Sequence, residues 1–323
     1  MSEYQSITDI EGVYAASATN AEAATGCTVI VCPAGATVGV DVRGGAPATR
    51  ETDLLRPEET VQQVHAVVLS GGSAYGLAAS TGVIEELERR DIGLDVGVGK
   101  VPIVTGACLF DLACGRADVR PTAADGAAAV AAALDGEKLP LAVGNVGAGT
   151  GCTVGKLGGP ARAMKSGLGE SVQTCGPLVC GAVAAVNAVG DIVDSVSGEG
   201  IAGLLDEEGE HILNSRDVLL SLAATMPLER TNTTISCVVI NAKLTKAEAT
   251  KVAQMAADAY AHTIRPTHTS NDGDSIFVMA TGEVEMPIDV VGVLATKALE
   301  GAIVDSALSA KGAYGLKAAH DLM

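Results

Sequence analysis

Tryptophan is absent from this chain, phenylalanine occurs twice and tyrosine five times in 323 residues. A core centred on aromatic rings is therefore excluded. The apolar content of 48% must come from Ala, Val, Ile and Leu, interspersed with 39 Gly. Small side chains let backbones approach closely, which suits stacked sheets and helices. Basic residues are also few: 21 Lys and Arg against 39 Asp and Glu leave a net charge of −18. Phosphate backbones and anionic membrane surfaces are bound by clustered cations, so neither nucleic acid nor a membrane is an expected partner. The charge serves solubility. No run approaches the ~18 apolar residues of a membrane span; the richest, Gly126–Leu134 and Leu178–Val186, are short. The opening MSEYQSITDIEGVYAA has neither a basic segment nor an apolar one, so a cytoplasmic protein is expected.

Eight Cys are present, but no C-x-x-C and no paired His spacing accompanies them. No metal site is expected, nor are disulfides in a cytosolic chain. Segments such as SCVVI mark most of these cysteines as small buried hydrophobes. No cofactor is implied either. The Gly-rich run Gly144–Gly159 fails as a dinucleotide loop, because Cys152 stands where Gly is needed. It fails as a phosphate loop, because Thr150 and Leu157 replace the required Gly and Ser/Thr. An array of glycine turns remains, with Lys156 alone inside it. Ser73 follows a strand and precedes a helix, but Tyr75 breaks the G-x-S-x-G elbow. Five scattered His give no triad; His268 alone lies near other polar candidates.

The chain alternates strands and helices, which implies layered α/β architecture. Cys27–Cys32 and Val38–Val42 read as strands split by a turn at Pro33-Ala34-Gly35. Val64–Ser70 reads as a strand, Ser73–Arg89 and Thr122–Leu134 as helices, and Leu178–Val186 and Asp191–Val196 as paired buried strands. Glu199–Asn232 reads as a looser connection with a short helix near Val218–Ala224. A strand begins abruptly at Thr233, with Ile235, Cys237 and Val239 on one face and Ser236, Val238 and Ile240 on the other. Thr245 and Glu248 form a capping box that opens a helix to about Thr263. Asn271–Asp274 reads locally as a tight turn before a strand Ser275–Ala280 and a helix from about Ile288 to Leu308. Asn232-Thr233-Thr234 matches a glycosylation sequon, a reading that lapses without a secretory signal.

Seven segments recur in order: Arg43-Gly-Gly-Ala-Pro-Ala-Thr-Arg-Glu-Thr-Asp-Leu-Leu55; Ser70-Gly-Gly-Ser-Ala-Tyr-Gly-Leu77; Val101–Val104 with Phe110-Asp111-Leu112; Gly147–Gly151 with Gly155-Lys156; Ala185-Val-Asn187; Asn232-Thr-Thr-Ile235; and His268–Asp274. Each is weak alone, but the ordered set resembles the aminopeptidase–esterase family of N-terminal nucleophile hydrolases. That family includes D-aminopeptidases, β-peptidyl aminopeptidases and endo-type 6-aminohexanoate (nylon) oligomer hydrolases. The resemblance implies an α/β fold of one domain, a four-layer αββα sandwich. It also implies a precursor that cuts itself, here between Asn232 and Thr233, into fragments 1–232 and 233–323 that stay associated. A small amide or peptide substrate and a homo-oligomer are implied as well.

Thr-Thr after Asn is closest to the nylon-oligomer branch, and Asp272 and Asp274 match its paired carboxylates. Phe110 stands where that branch can carry Tyr, so a hydroxyl contact to substrate is missing there; Tyr75 and Phe110 are the pocket candidates. By resemblance the catalytic set is Thr233, Lys156, Asn187, Asp272 and Asp274. A Thr hydroxyl needs an adjacent base. A free α-amine, with its ordinary pKa of about 7.7–8.0, can serve as one, and only cleavage before Thr233 supplies it. The rival reading is a family member without catalysis, acting in ligand binding or assembly.

Overall fold

A computed structural model describes residues 4–222 and 232–322. Among the described residues nine strands form one hydrogen-bonded network, eight on a single path and β1 branching from β2: β1 (Tyr14–Asn20), β2 (Thr25–Val42), β3 (Thr49–Arg50), β4 (Val64–Ser70), β5 (Val104–Cys108), β6 (Leu168–Cys175), β7 (Leu178–Asn187), β8 (Thr233–Ala242) and β9 (Ser275–Val284). The path folds over on itself at β2. Residues 25–31 of β2 pair with β1 and β4, whereas residues 37–42 pair with β9. The turn expected at Pro33-Ala34-Gly35 is instead an irregularity within one long strand, where the register shifts between Val31 and Ala36. Proline has no N–H to donate, so the ladder breaks locally and the strand changes sheets without reversing.

One sheet thus runs β1-β2-β4-β5-β3 and the other β6-β7-β8-β9-β2; β4/β5 and β8/β9 pair in parallel, and the other pairs among the described residues are antiparallel. Their facing surfaces meet through Ile30, Val67, Leu69, Val183, Ile235, Cys237, Val239, Phe277 and Met279. On the outer face of the second sheet, Val238, Ile240, Ile276 and Val278 pack against α4 (Lys246–Ala256), α5 (Asp258–Thr263) and α6 (Ile288–Leu308). On the outer face of the first, Val29, Val31, Ala66 and Val68 pack against α1 (Ala78–Arg89) and α2 (Ala123–Asp135). The result is the expected four-layer αββα sandwich. The alternation along β8 is also as expected: odd positions enter the space between the sheets, even ones face the helices.

Other elements differ in detail. The helix expected from Ser73 begins as a 3-10 turn, Ser73–Leu77, before α1. The helix opened by the Thr245–Glu248 capping box is interrupted at Ala257, and Asp258 starts a new one, where a carboxylate suits the first turn. The strand at Asp191 is only Asp191–Val193. It pairs with Gly200–Ala202 and Ile264–Arg265, not with β7. The Asp191 carboxylate accepts from Leu204 N (2.8 Å), Ser215 N (2.7 Å) and Ser215 Oγ (2.6 Å), which ties this strand to the 204–215 segment. The short helix is α3, Ser215–Leu222; the remainder of the expected Val218–Ala224 segment lies outside the described residues. All eight cysteines are free; six are buried, Cys114 is intermediate and Cys175 exposed. Among the described residues no helix is long and apolar enough to cross a membrane.

Candidate active site

Three strand ends converge on one rim. β7 ends at Asn187, which pairs directly with Thr233 at the start of β8. β9 starts beside β8 in parallel, with Ile235 opposite Ser275, so Gly273 and Asp274 fall next to Thr233 and Thr234. A Cβ on Gly273 would lie 2.8 Å from Thr233 Oγ1, so only glycine allows this approach. Thr233 is buried, and its hydroxyl donates to the carbonyl oxygen of Asn232.

On one side stand Lys156 and Asn187. Lys156 follows Gly155, which adopts a left-handed conformation (φ 72°) that glycine accommodates. Lys156 Nζ donates to Asn187 O (2.9 Å) and Oδ1 (2.7 Å). Thr153 N donates to the same Oδ1 at 3.1 Å, and Asn187 Nδ2 donates to Phe110 O at 2.7 Å. The amide is thereby fixed in orientation, since its oxygen faces three donors, Thr153 Oγ1 included, and its nitrogen an acceptor. Lys156 as a whole is half-buried, and its ammonium is enclosed by protein. Burial pushes its pKa down to about 7; nearby groups including Asp272 oppose that fall.

On the other side stand the two carboxylates. Asp274 Oδ1 accepts from Thr234 N at 2.7 Å. Its Oδ2 is met by His268 N (3.1 Å), His268 Nδ1 (2.9 Å) and Thr267 Oγ1 (3.3 Å). Asp272 Oδ2 accepts from Thr269 N at 2.6 Å, while its buried Oδ1 has no hydrogen-bond partner among the described residues. Burial, and then the charge of Asp274, raise the Asp272 pKa to about 6. The loop carrying both is clasped by the segment after β2: Arg43 N and Gly44 N donate to Asp274 O, and Ala46 N to Asp272 O. A Cβ on Gly44 would overlap the backbone of Asp272 and Asp274, which accounts for the Arg43-Gly44-Gly45 motif.

The structure therefore brings together Thr233, Asn232, Asn187, Lys156, Asp272 and Asp274, with the carbonyl of Phe110. It leaves Tyr75 farther out: that ring is 62% exposed, on the loop after β4, with the Arg120 guanidinium 4.0 Å above it. The isolated-turn reading of Asn271–Asp274 gives way to a loop whose carboxylates bind neighbouring backbone. The Gly147–Gly151 turns are packing devices: a Cβ on Gly147 would strike Ser17 and Thr28, and one on Gly149 the backbone of Leu168.

Asp111 went unassigned in the sequence reading. Its buried carboxylate accepts from Thr25 Oγ1 and Gly72 N, each at 2.7 Å, and so braces the loop whose Phe110 carbonyl holds Asn187. Burial raises its pKa. The signal was an acid set between Phe110 and Leu112 in an apolar stretch. Lys165 was missed too: fully buried, it donates to the carbonyls of Thr150, Cys152 and Ser166.

Four layers with a strand-initial hydroxyl at the central rim define the N-terminal nucleophile hydrolase fold. Solved structures of aminopeptidases share it. A Burkholderia β-aminopeptidase aligns at TM-score 0.69 with 21% identity, covering 98% of this chain and 91% of that one. The L-aminopeptidase D-Ala-esterase/amidase of Ochrobactrum anthropi, a prototype of the serine aminopeptidases and a variant of this fold, aligns at 0.67 with 20% identity (94% and 86%). The chain belongs to peptidase family S58, whose model matches residues 5–320. An uncharacterized aminopeptidase of Mycobacterium leprae is 43% identical over 295 residues, 87% of this chain and 79% of that one. A 6-aminohexanoate-oligomer endohydrolase of Paenarthrobacter ureafaciens is 33% identical over 286 residues (86% and 76%). The protein is thus a hydrolase of amide bonds.

Proposed function

We propose that this hydrolase cuts its own Asn232–Thr233 bond and then uses the amino-terminal Thr233 as nucleophile. The observation that carries this reading is the position of Thr233: a buried hydroxyl against the Asn232 carbonyl, between the Lys156–Asn187 pair and the two carboxylates. In the precursor, Thr233 Oγ attacks the Asn232 carbonyl carbon. The C–N bond breaks, the nitrogen takes a proton to become the Thr233 α-amine, and the resulting ester is hydrolysed by water. The new amine then accepts the hydroxyl proton when Thr233 attacks a substrate amide, and passes it to the leaving amine; water releases the acyl group.

The Asn187 side-chain amide, oriented by Phe110 O, Thr153 N and Lys156 Nζ, is the group that answers the charge that develops on the carbonyl oxygen. A prepositioned donor of that kind contributes about 2.7–4 kcal/mol. Lys156, poised near neutrality, adds positive potential and lowers the pKa of the amine by like-charge repulsion. Asp272, whose Oδ1 awaits a donor, orients the ammonium and raises its pKa.

The chain is one domain after cleavage as before it. β8 and β9 belong to fragment 233–323, and their outer neighbours β7 and β2 belong to fragment 1–232, so the pieces are interlocked by backbone ladders. Short peptides and ω-amino acid oligomers are the substrate classes, by likeness to the named relatives. The protein works in the cytoplasm as a homo-oligomer; exposed Val96, Val98 and Val101 offer an apolar contact.

A denaturing gel tests this reading. Wild type should run as bands of about 23 and 9 kDa, in proportion to 232 and 91 residues of a 32.3 kDa chain. Thr233→Ala should run as one band and hydrolyse nothing. Two bands from that variant would end the assignment.

A further inference from the structure

Arg120 stands out in so acidic a chain. Among the described residues its guanidinium makes no hydrogen bond and no ion pair of the kind that Arg43, Arg56, Arg89, Arg90 and Arg116 make. Its Nε is buried and unpartnered. What holds it is the exposed ring of Tyr75, 4.0 Å below Cζ. A cation on an aromatic face keeps its N–H donors free at the ring-plane edge, and the flat stack restricts the side chain in advance of any ligand.

This pair lies outside the assembled residues but is tied to them through one loop. Tyr75 belongs to the 3-10 turn Ser73–Leu77. Gly72, immediately before it, donates its N–H to Asp111, and a Cβ there would lie 3.2 Å from Arg120 Cβ. Ser73 N donates to Leu109 O. Leu109 and Asp111 flank Phe110, whose carbonyl holds Asn187. One loop therefore separates the guanidinium from the oxyanion donor.

We infer that Arg120, seated on Tyr75, binds the free carboxylate of the substrate. The ligand chemistry is the carboxyl end of a short peptide or ω-amino acid oligomer, taken by the planar fork of a guanidinium. The need is electrostatic as well: a net charge of −18 repels anionic substrates, and a guanidinium that makes no ion pair offers them a local attraction. The inference rests on the amidase reading and deepens it by naming what the substrate carries.

The test compares the linear 6-aminohexanoate trimer with the same trimer ended as a carboxamide. Wild type should favour the carboxylate form by about tenfold or more in kcat/KM, chiefly through KM, as a charge-assisted hydrogen bond predicts. Arg120→Gln should bring that ratio close to one, Tyr75→Leu should reduce it partly, and Arg120→Lys should retain part of it. A wild-type ratio near one, a preference that survives in Arg120→Gln, or no turnover of either trimer would overturn the inference. The same samples on a denaturing gel separate this from failure of the amidase reading, because normal 23 and 9 kDa bands would still report self-cleavage.

Discussion

Asp272 and Asp274 sit two residues apart yet are held differently, and the difference divides their expected roles. Asp274 spends both oxygens on Thr234 N, His268 and Thr267, so it fixes the start of β8. Asp272 keeps Oδ1 open. Asp274→Asn should therefore slow maturation, read as a lower cleaved fraction on a time course. Asp272→Asn should let the processed enzyme form but shift its pH profile. Removing a negative charge lowers the pKa of the Thr233 amine, so the acid limb of kcat moves to lower pH. An unshifted limb would remove Asp272 from the base's surroundings. Lys156 gives a stability test. Its pKa falls from 10.5 in the unfolded chain to about 7 in the fold, so between those values the unfolded chain binds more protons. Native stability from this group therefore rises with pH across that window, by at most about 1.4 kcal/mol per pH unit. Denaturant unfolding of wild type against Lys156→Met should show a difference that grows in favour of wild type from pH 7 to pH 10; a constant difference would mean that the ammonium is not desolvated.

At the scale of elements, the rim depends on close backbone approach rather than on large side chains. The segment after β2 crosses the 272–274 loop where Gly44 leaves no room for a Cβ. Gly44→Ala should destabilise by about 1–3 kcal/mol through overpacking, and should lower the cleaved fraction because the displaced loop carries Asp272 and Asp274. A normal melting temperature with full cleavage would show that the clasp is dispensable. The Tyr260 ring stacks on His268 at 5.3 Å and its hydroxyl bonds Ser236 and Thr234 O, so helix α5 braces the same strand start from outside. β8 was legible in advance because its alternation is regular and both faces are apolar. β1 and β6 were not, because YAASATN and LGESVQTC carry small and polar residues whose strand character comes from their partners β2 and β7.

For the whole molecule, the four layers follow from one composition: Ala, Val and Gly surfaces that stack closely without aromatic rings. The layered class could be read from alternating elements, and the sandwich from ordered motifs. The passage of β2 from one sheet to the other could not be read, because Pro33 and Gly35 signal a turn equally well in isolation. The rim itself was legible only as scattered pieces. Asn187, Thr233 and Asp274 are separated by 46 and 41 residues, and only strand register joins them. The interlocked ladders predict that both fragments of the processed protein elute together from a native sizing column. They should separate only under denaturation; fragment 233–323 eluting alone would contradict the shared sheet.

The most direct measurement of the central claim is the amino-terminal sequence of the small fragment. Purified wild type, separated under denaturing conditions and analysed by Edman degradation with intact mass, should give a fragment beginning Thr-Thr-Ile-Ser-Cys from Thr233. Thr233→Ser should give Ser followed by the same residues at a slower rate, and Thr233→Ala should yield only the uncut chain. An active wild-type enzyme that remains one chain, or a fragment beginning at any other residue, would contradict the account.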